Sequence, residues 1–464
     1  MRTPRVSAAV GAGFVVWGGA VGLGRLHDNS FLTHVATGRL ILAHGVPHTD
    51  PYSFTALGHP WVVESWLASV LYAAVDRLGA HGLQFLHAAL AATLAGLVWI
   101  LTRPAGTLAG RIVVATAALS IGTGYWSPRP LLIALVLFAV VILMAEHQRG
   151  SPWLLTPIMW VWVNVHGSWG LALVYLVVRL IGRAMGGDDL GRLPRLIGAT
   201  VVGIALGAVN PSGIRLLTYP LRLATDHQAF AHIAEWESPS FSDVTNSILL
   251  ATVLVSLVLL VARRGTLEDA LVVGVFFAMA CLASRNVPVA SLAVTPVFAR
   301  GLAGLGSLDG ARRGALPVGL LALWLWLAAV LTGHALRSPE FELAAYPVAA
   351  VDAMQTHGLV PGRVATQDYV GNYLEFRYGS GASVFVDDRV DMYPRSVETA
   401  YGTLLGGAPG WEGVLDGFHV HAVLWAKDEP LAGLLAQSAR WRIIWQDARW
   451  VVAVRRPEVP SRRA

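Results

Sequence analysis

The feature that most constrains this chain is its succession of apolar runs, near 7–24, 83–102, 111–125, 130–145, 152–165, 168–182, 196–209, 247–262, 270–284, 287–303 and 315–333. One water-soluble core cannot bury so many, whereas a bilayer accepts each as a helix, about 20 residues being needed to cross it upright. Several runs fall short of that length, so their ends are placed only to within a few residues. With 55% hydrophobic and 14% charged residues and a mean hydropathy of +0.56, most of the 464-residue chain belongs inside a membrane. The single Cys281 lies within an apolar run, which excludes a disulfide framework. The net charge of +5 is scattered over short loops without a nucleic-acid motif, so the partners are membrane lipids and not nucleic acid.

Orientation follows from the arginines. The basic N-terminus and first run read as an uncleaved first span, because no small-residue cleavage site follows. Segment 62–78, VVESWLASVLYAAVDRL, is ambiguous: if it crosses, every later loop changes side. Lying on the outer interface instead, it leaves the arginine-bearing loops after residues 102, 145, 182, 262 and 303 in the cytoplasm, as the positive-inside rule requires. The expectation is an α-helical polytopic protein of the cytoplasmic (inner) membrane with about eleven spans and a cytoplasmic N-terminus. Residues 1–335 form the membrane domain, with interfacial helices in an outer loop 27–82, and 336–464 form an extracytoplasmic α/β domain. In that tail, helices near Pro347–His357 and from Gly371, Val397 and Glu429 alternate with strands RVATQ, SVFVD and HAVLW, and WRIIWQ and WVVAVR close as a hairpin. No GxGxxG or P-loop pattern accompanies them.

The outer surface so defined collects the chemically able residues. Asp28 directly follows the first span, where a carboxylate can act as general base on an acceptor hydroxyl; it is equally placed to cap a helix over 30–44. Glu64 opens the interfacial helix and, with Asp50 and His48, offers carboxylate and imidazole ligands for a divalent cation, although the spacing matches no compact metal signature. His34 serves as a polar contact on the same insert. Arg129 and Arg285 stand at outer span ends, where a guanidinium calls for an anion such as a lipid phosphate, ordinary snorkelling being the plainer reading. Asn164 and His166, in WVNVHGSWG, suit sugar binding in a tight turn or simple helix capping, and Glu235 with Trp236 suits closure over an acceptor or, equally, an ordinary amphipathic surface helix. Asp387, Asp388, Arg389 and Asp391, in VDDRVDMY, line a strand end as a sugar or ion site or a solvated turn.

The pattern HVATGRLILAHGVPHTDPYSFTALGHPWVVESWL, followed by WVNVHGSWGLAL, NPSG, EWESPSF, SRNVP and FVDDRVDMY, resembles the multispanning GT-C glycosyltransferases. These include the protein O-mannosyltransferases, the aminoarabinose transferases and the oligosaccharyltransferases, and the likeness falls within a bacterial branch of membrane glycosyltransferases. The resemblance implies transfer of a sugar, usually with inversion, from a polyprenyl-phosphate-linked donor to a glycan, lipid or protein acceptor on the outer face. It makes Asp28 the base or acceptor-orienting group and Glu64 the counterpart of a metal-assisting glutamate. The chain departs from the pattern in carrying Arg129 where many relatives have a second aspartate, and Asn29 beside Asp28. Two other classes fit the same envelope: a lipid-linked glycan ligase or polymerase, and a non-enzymatic carrier-lipid transporter or glycan-binding protein. A transporter calls for ionisable groups in mid-span, and the runs hold few.

Overall fold

The computed structural model describes residues 4–147, 150–225, 234–306, 310 and 313–457. In chain order the helices are α1 (Val6–Gly22), α2 (Asn29–His44), α3 (Trp66–Asp76), α4 (Gly82–Leu101), α5 (Leu108–Gly122), α6 (Pro130–Glu146), α7 (Leu155–Val165), α8 (Gly170–Gly186), α9 (Leu193–Leu206), α10 (Ile214–Thr225), α11 (Val244–Ala262), α12 (Leu267–Leu282), α13 (Val287–Gly301) and α14 (Ala315–Ala335). Then come α15 (Val348–Thr356), β1 (Val364–Ala365), α16 (Asp368–Tyr378), α17 (Arg395–Leu405), α18 (Trp411–Gly417), β2 (Ala422–Ala426), α19 (Pro430–Gln437), β3 (Trp441–Gln446) and β4 (Trp450–Arg455). The chain divides into two compact units, Met1–Leu26 with Val75–Glu340, and His27–Ala74 with Phe341–Ala464.

The first unit is a helical membrane body. Its segments Gly82–Ala105, Gly167–Gly186, Val244–Ala262 and Ala315–Ala335 are long and apolar enough to cross a bilayer, while α1, α5, α6 and α9 are apolar but shorter. Against eleven expected spans, four thus qualify among the described residues on length and composition. The burial of α13 is nearly complete from Val287 to Ala299, so it forms the centre of the bundle, whereas α14 leaves most of its apolar surface exposed, as a lipid-facing helix does. Small residues let α1 lie against α4: a Cβ on Gly22 would stand 2.3 Å from the Ala88 Cα.

One end of this bundle holds a charge network. Glu146 at the end of α6 receives Arg179 of α8 at 2.8 Å and Arg300 of α13 at 2.6 Å; Arg300 also pairs with Asp269, and Arg179 with Glu268, at the start of α12. Arg183 reaches Glu268 at 2.8 Å. Arg183 and Arg300, read from sequence as cytoplasmic loop charges, therefore lie on helices and are matched by carboxylates. The α8 segment also carries a buried cation, Arg179, that the expectation of nearly charge-free spans overlooked. A buried guanidinium is tolerated because its carboxylate partners offset the desolvation.

The second unit joins α2 and α3 to the C-terminal helices and sheet, so residues 27–74 pack with 341–464. The sheet order is β1-β2-β4-β3, with β1 parallel to β2 and the other pairs antiparallel. The expected strand SVFVD contributes only the bridges of Val384 to Ser53 and Val364, and α18 was not anticipated. Val423, Leu424, Trp425, Phe385 and Val452 fill the core. On the N-terminal side, α2 crosses α3 at Gly38, where a Cβ would meet the Ser69 carbonyl oxygen at 1.9 Å. At 11 residues, about 16 Å, α3 is too short to cross a bilayer core.

Candidate functional site

In the second unit the first turn of α2 gathers the polar groups. Asp28 is its N-cap: the Phe31 amide donates to the carboxylate at 3.2 Å, satisfying one of the turn's open N–H groups. Capping and chemistry are compatible, since one oxygen suffices for the cap. Burial first, and then the charge of Asp28, push the Tyr72 hydroxyl above its usual range, which sets the carboxylate beside that ring. His34, one turn further, shares a hydrogen bond of 3.1 Å with the Ser69 hydroxyl and meets the Tyr72 ring edge-on. Ser30 donates to Asp388, whose own amide donates to Asn372 at 3.1 Å, so Asp388 belongs to this polar turn.

Glu64, half-buried, acts on Asp391. That carboxyl touches solvent yet is crowded by protein, and desolvation followed by the Glu64 charge pushes it up to about 7. Asp391 belongs to the VDDRVDMY motif read in the sequence as a sugar or ion site or a solvated turn.

Asp387, Arg389 and Asp50 form something else: a buried ionic knot. The Arg389 guanidinium reaches Asp387 at 2.6 Å, Asp50 at 2.8 Å and Glu375 at 3.4 Å, and lies 4.4 Å over the Trp61 ring and 5.0 Å over Tyr52. Asp50, only 2% exposed, also accepts from the Tyr52 and Ser53 amides and the Ser53 hydroxyl. Asp387 accepts from the Tyr393 hydroxyl at 2.6 Å, and Thr33 donates to Glu375 at 2.7 Å. Burial, and then the neighbouring Asp387 charge, raise the Glu375 carboxyl well above its normal range, so it holds a proton and donates it toward Asp387. Burial works in the same sense on Asp387, but Arg389 overcomes it and keeps that carboxyl low. Neither solvated turn nor open sugar site describes this cluster. Asp50, Asp387 and Arg389 are enclosed because they tie the 27–74 segment to the C-terminal half of their unit.

The cation expectation for Glu64, Asp50 and His48 does not fit these positions. Asp50 spends its oxygens on Arg389 and Ser53, His48 is exposed, and no group of three His, Cys, Asp or Glu side chains converges among the described residues.

In the first unit, Arg129 is the N-cap residue of α6 and pairs with Glu235; Arg285, in the turn Ser284–Asn286, lies with its guanidinium 4.5 Å over the Trp236 ring. The two arginines singled out in the sequence therefore meet the same short turn, Ala234–Trp236. Asn164 and His166 act locally: the Asn164 amide donates back to the Trp160 carbonyl at 2.7 Å, and the His166 ring accepts from the Ser168 amide at 3.1 Å. Glu375 and the Glu146 network escaped sequence reasoning; acidic residues at the beginning of α12, opposite arginines at neighbouring helix ends, were the available signal for the latter.

This architecture has known counterparts. The chain is similar to the archaeal oligosaccharyltransferase AglB from Archaeoglobus fulgidus in complex with an inhibitory peptide and a dolichol-phosphate, with a TM-score of 0.54, 10% identity, and coverage of 90% of this chain and 69% of that one. It is likewise similar to the Archaeoglobus fulgidus oligosaccharyltransferase in the apo form, with a TM-score of 0.53, 11% identity, and coverage of 89% and 69%. The likeness is one of fold, and the fold is that of the GT-C glycosyltransferases. No family model and no curated protein matches the sequence.

Proposed function

We propose that this chain is a GT-C membrane glycosyltransferase that takes a sugar from a polyprenyl-phosphate-linked donor and transfers it, with inversion, to a glycan, lipid or protein acceptor. The proposed location is the outer face of the cytoplasmic membrane, with the N-terminus cytoplasmic. Asp28 removes the acceptor proton, and Arg129 and Arg285 neutralise the charge that develops on the departing phosphate. His34, Glu64, Asp388, Asn164 and His166 are proposed polar contacts for substrate. The observation that carries the reading is the convergence of Arg129 and Arg285, distant in sequence, on one short turn. The oligosaccharyltransferase fold supports it, one of those enzymes having been captured with a dolichol-phosphate.

The cap geometry supplies a clean test. Asn caps as well as Asp, so Asp28→Asn leaves α2 intact while removing the base, whereas Asp28→Ala also costs about 1 kcal/mol of helix stability. Sugar transfer in reconstituted vesicles is expected to fall at least about a hundredfold in Asp28→Asn at unchanged melting temperature. Full activity in that variant refutes the assignment. In a deletion strain, accumulation of polyprenyl-phosphate monosaccharide is expected; longer lipid-linked glycans accumulating instead identify a ligase or polymerase.

A further inference from the structure

The turn that engages both arginines does so with two different side chains. Glu235 places a carboxylate on the Arg129 guanidinium, while Trp236 covers the Arg285 guanidinium. Main-chain bonds hold the turn against the Arg285 segment: the Ser284 hydroxyl donates to the Glu235 carbonyl at 3.1 Å, and the Ser284 amide donates to the Glu237 carbonyl at 2.9 Å. A carboxylate and a phosphate compete for the same guanidinium fork, with similar hydrogen-bond geometry. The Arg129–Glu235 pair is open to exchange, since the side chains are 27% and 48% exposed. An exposed pair of this kind contributes little and can be replaced by a better anion.

Resting on the reading that Arg129 and Arg285 bind the donor phosphate, we propose that Glu235 is an internal surrogate for it. Glu235 holds the Arg129 guanidinium in place until the phosphate of a lipid carrier displaces it, while the bonds from Ser284 keep the turn, and Trp236 over Arg285, where they are. The turn thus selects for phosphate: an incoming ligand must compete with a carboxylate, which a neutral lipid cannot do.

Binding of farnesyl phosphate, a sugar-free probe, to the full chain in detergent micelles tests this by isothermal titration, with inorganic phosphate at the same concentrations as the second arm. Glu235→Gln is expected to tighten farnesyl phosphate binding about two- to fivefold, the range set by an exposed ion pair. Arg129→Gln is expected to weaken it, and Glu235→Gln made in the Arg129→Gln background to add nothing. An unchanged or weakened affinity in Glu235→Gln, with Arg129→Gln still weakened, overturns the surrogate and leaves the phosphate reading standing. An unchanged affinity in Arg129→Gln overturns both. Equal tightening for inorganic phosphate assigns the arginine to a free phosphate and overturns the lipid carrier as the displacing group.

Discussion

Replacing Arg389 by Met tests whether the ionic knot is structure or site. With Glu375 protonated, the enclosed charges are one guanidinium and the carboxylates of Asp50 and Asp387. Removing the cation leaves two carboxylates buried together. Methionine fills much of the volume between Tyr52 and Trp61 but supplies no charge. Breaking a buried pair in this way costs about 3–5 kcal/mol. The hydrogen bonds that Asp50 keeps from the Tyr52 and Ser53 amides, and Asp387 from Tyr393, argue for the lower half of that range. In a unit of about 170 residues, 1 kcal/mol moves the melting temperature by about 2–4 °C, so the expected drop is roughly 6–16 °C. Hydrogen exchange of the β2 and β4 amides in the full chain reads the same loss locally. At about 1.4 kcal/mol per factor of ten, those amides should exchange roughly 100- to 700-fold faster. Exchange within threefold of the parent, together with lost substrate binding, would refute the structural role and restore Arg389 as a ligand.

The two neighbouring carboxyls should respond oppositely. Because the Glu375 carboxyl is raised, Glu375→Gln mimics its neutral state and is expected to change stability by less than about 1 kcal/mol near pH 4, whereas Asp387→Asn loses about 3 kcal/mol or more at pH 7. The raised Glu375 value means that its stabilising contribution is complete below the unfolded carboxyl value, near 4.3, and is lost as pH rises toward the folded one, so Glu375→Gln gains on the parent as pH rises above about 4.3 in chemical unfolding. Equal losses in the two variants would sink the proton assignment. Asp391 titrates in the folded chain at about 7 and near 3.9 when unfolded, so the cost of ionising it grows from about pH 4 to 7 and then levels. Asp391→Asn should therefore melt progressively higher than the parent across that window, and Glu64→Gln should narrow the window; a difference independent of pH would contradict the coupling.

How much of this was legible in the sequence depends on how local each feature is. The Asp28 cap was readable because donor and acceptor are three residues apart and the apolar period of α2 begins immediately after. The closing hairpin was readable from its two alternating runs over a short turn. Arg129 and Arg285 stood out as cations on the wrong side of the charge pattern, but their neighbour in space, the Glu235–Trp236 turn, could not be paired with them from spacing alone. The knot was misread for the same reason: Asp50 and Arg389 are 339 residues apart, and nothing near either one announces its burial.

The split of the second unit has a consequence for biosynthesis. Residues 27–74 leave the ribosome roughly 270 residues before the first residue of the segment they pack against. At about 5–20 residues per second, that is a wait of at least roughly 15–55 s during which Asp50 has no Arg389 and the inner face of α2 has no α16 to cover it. The earliest polar piece of the chain is thus among the last to become native.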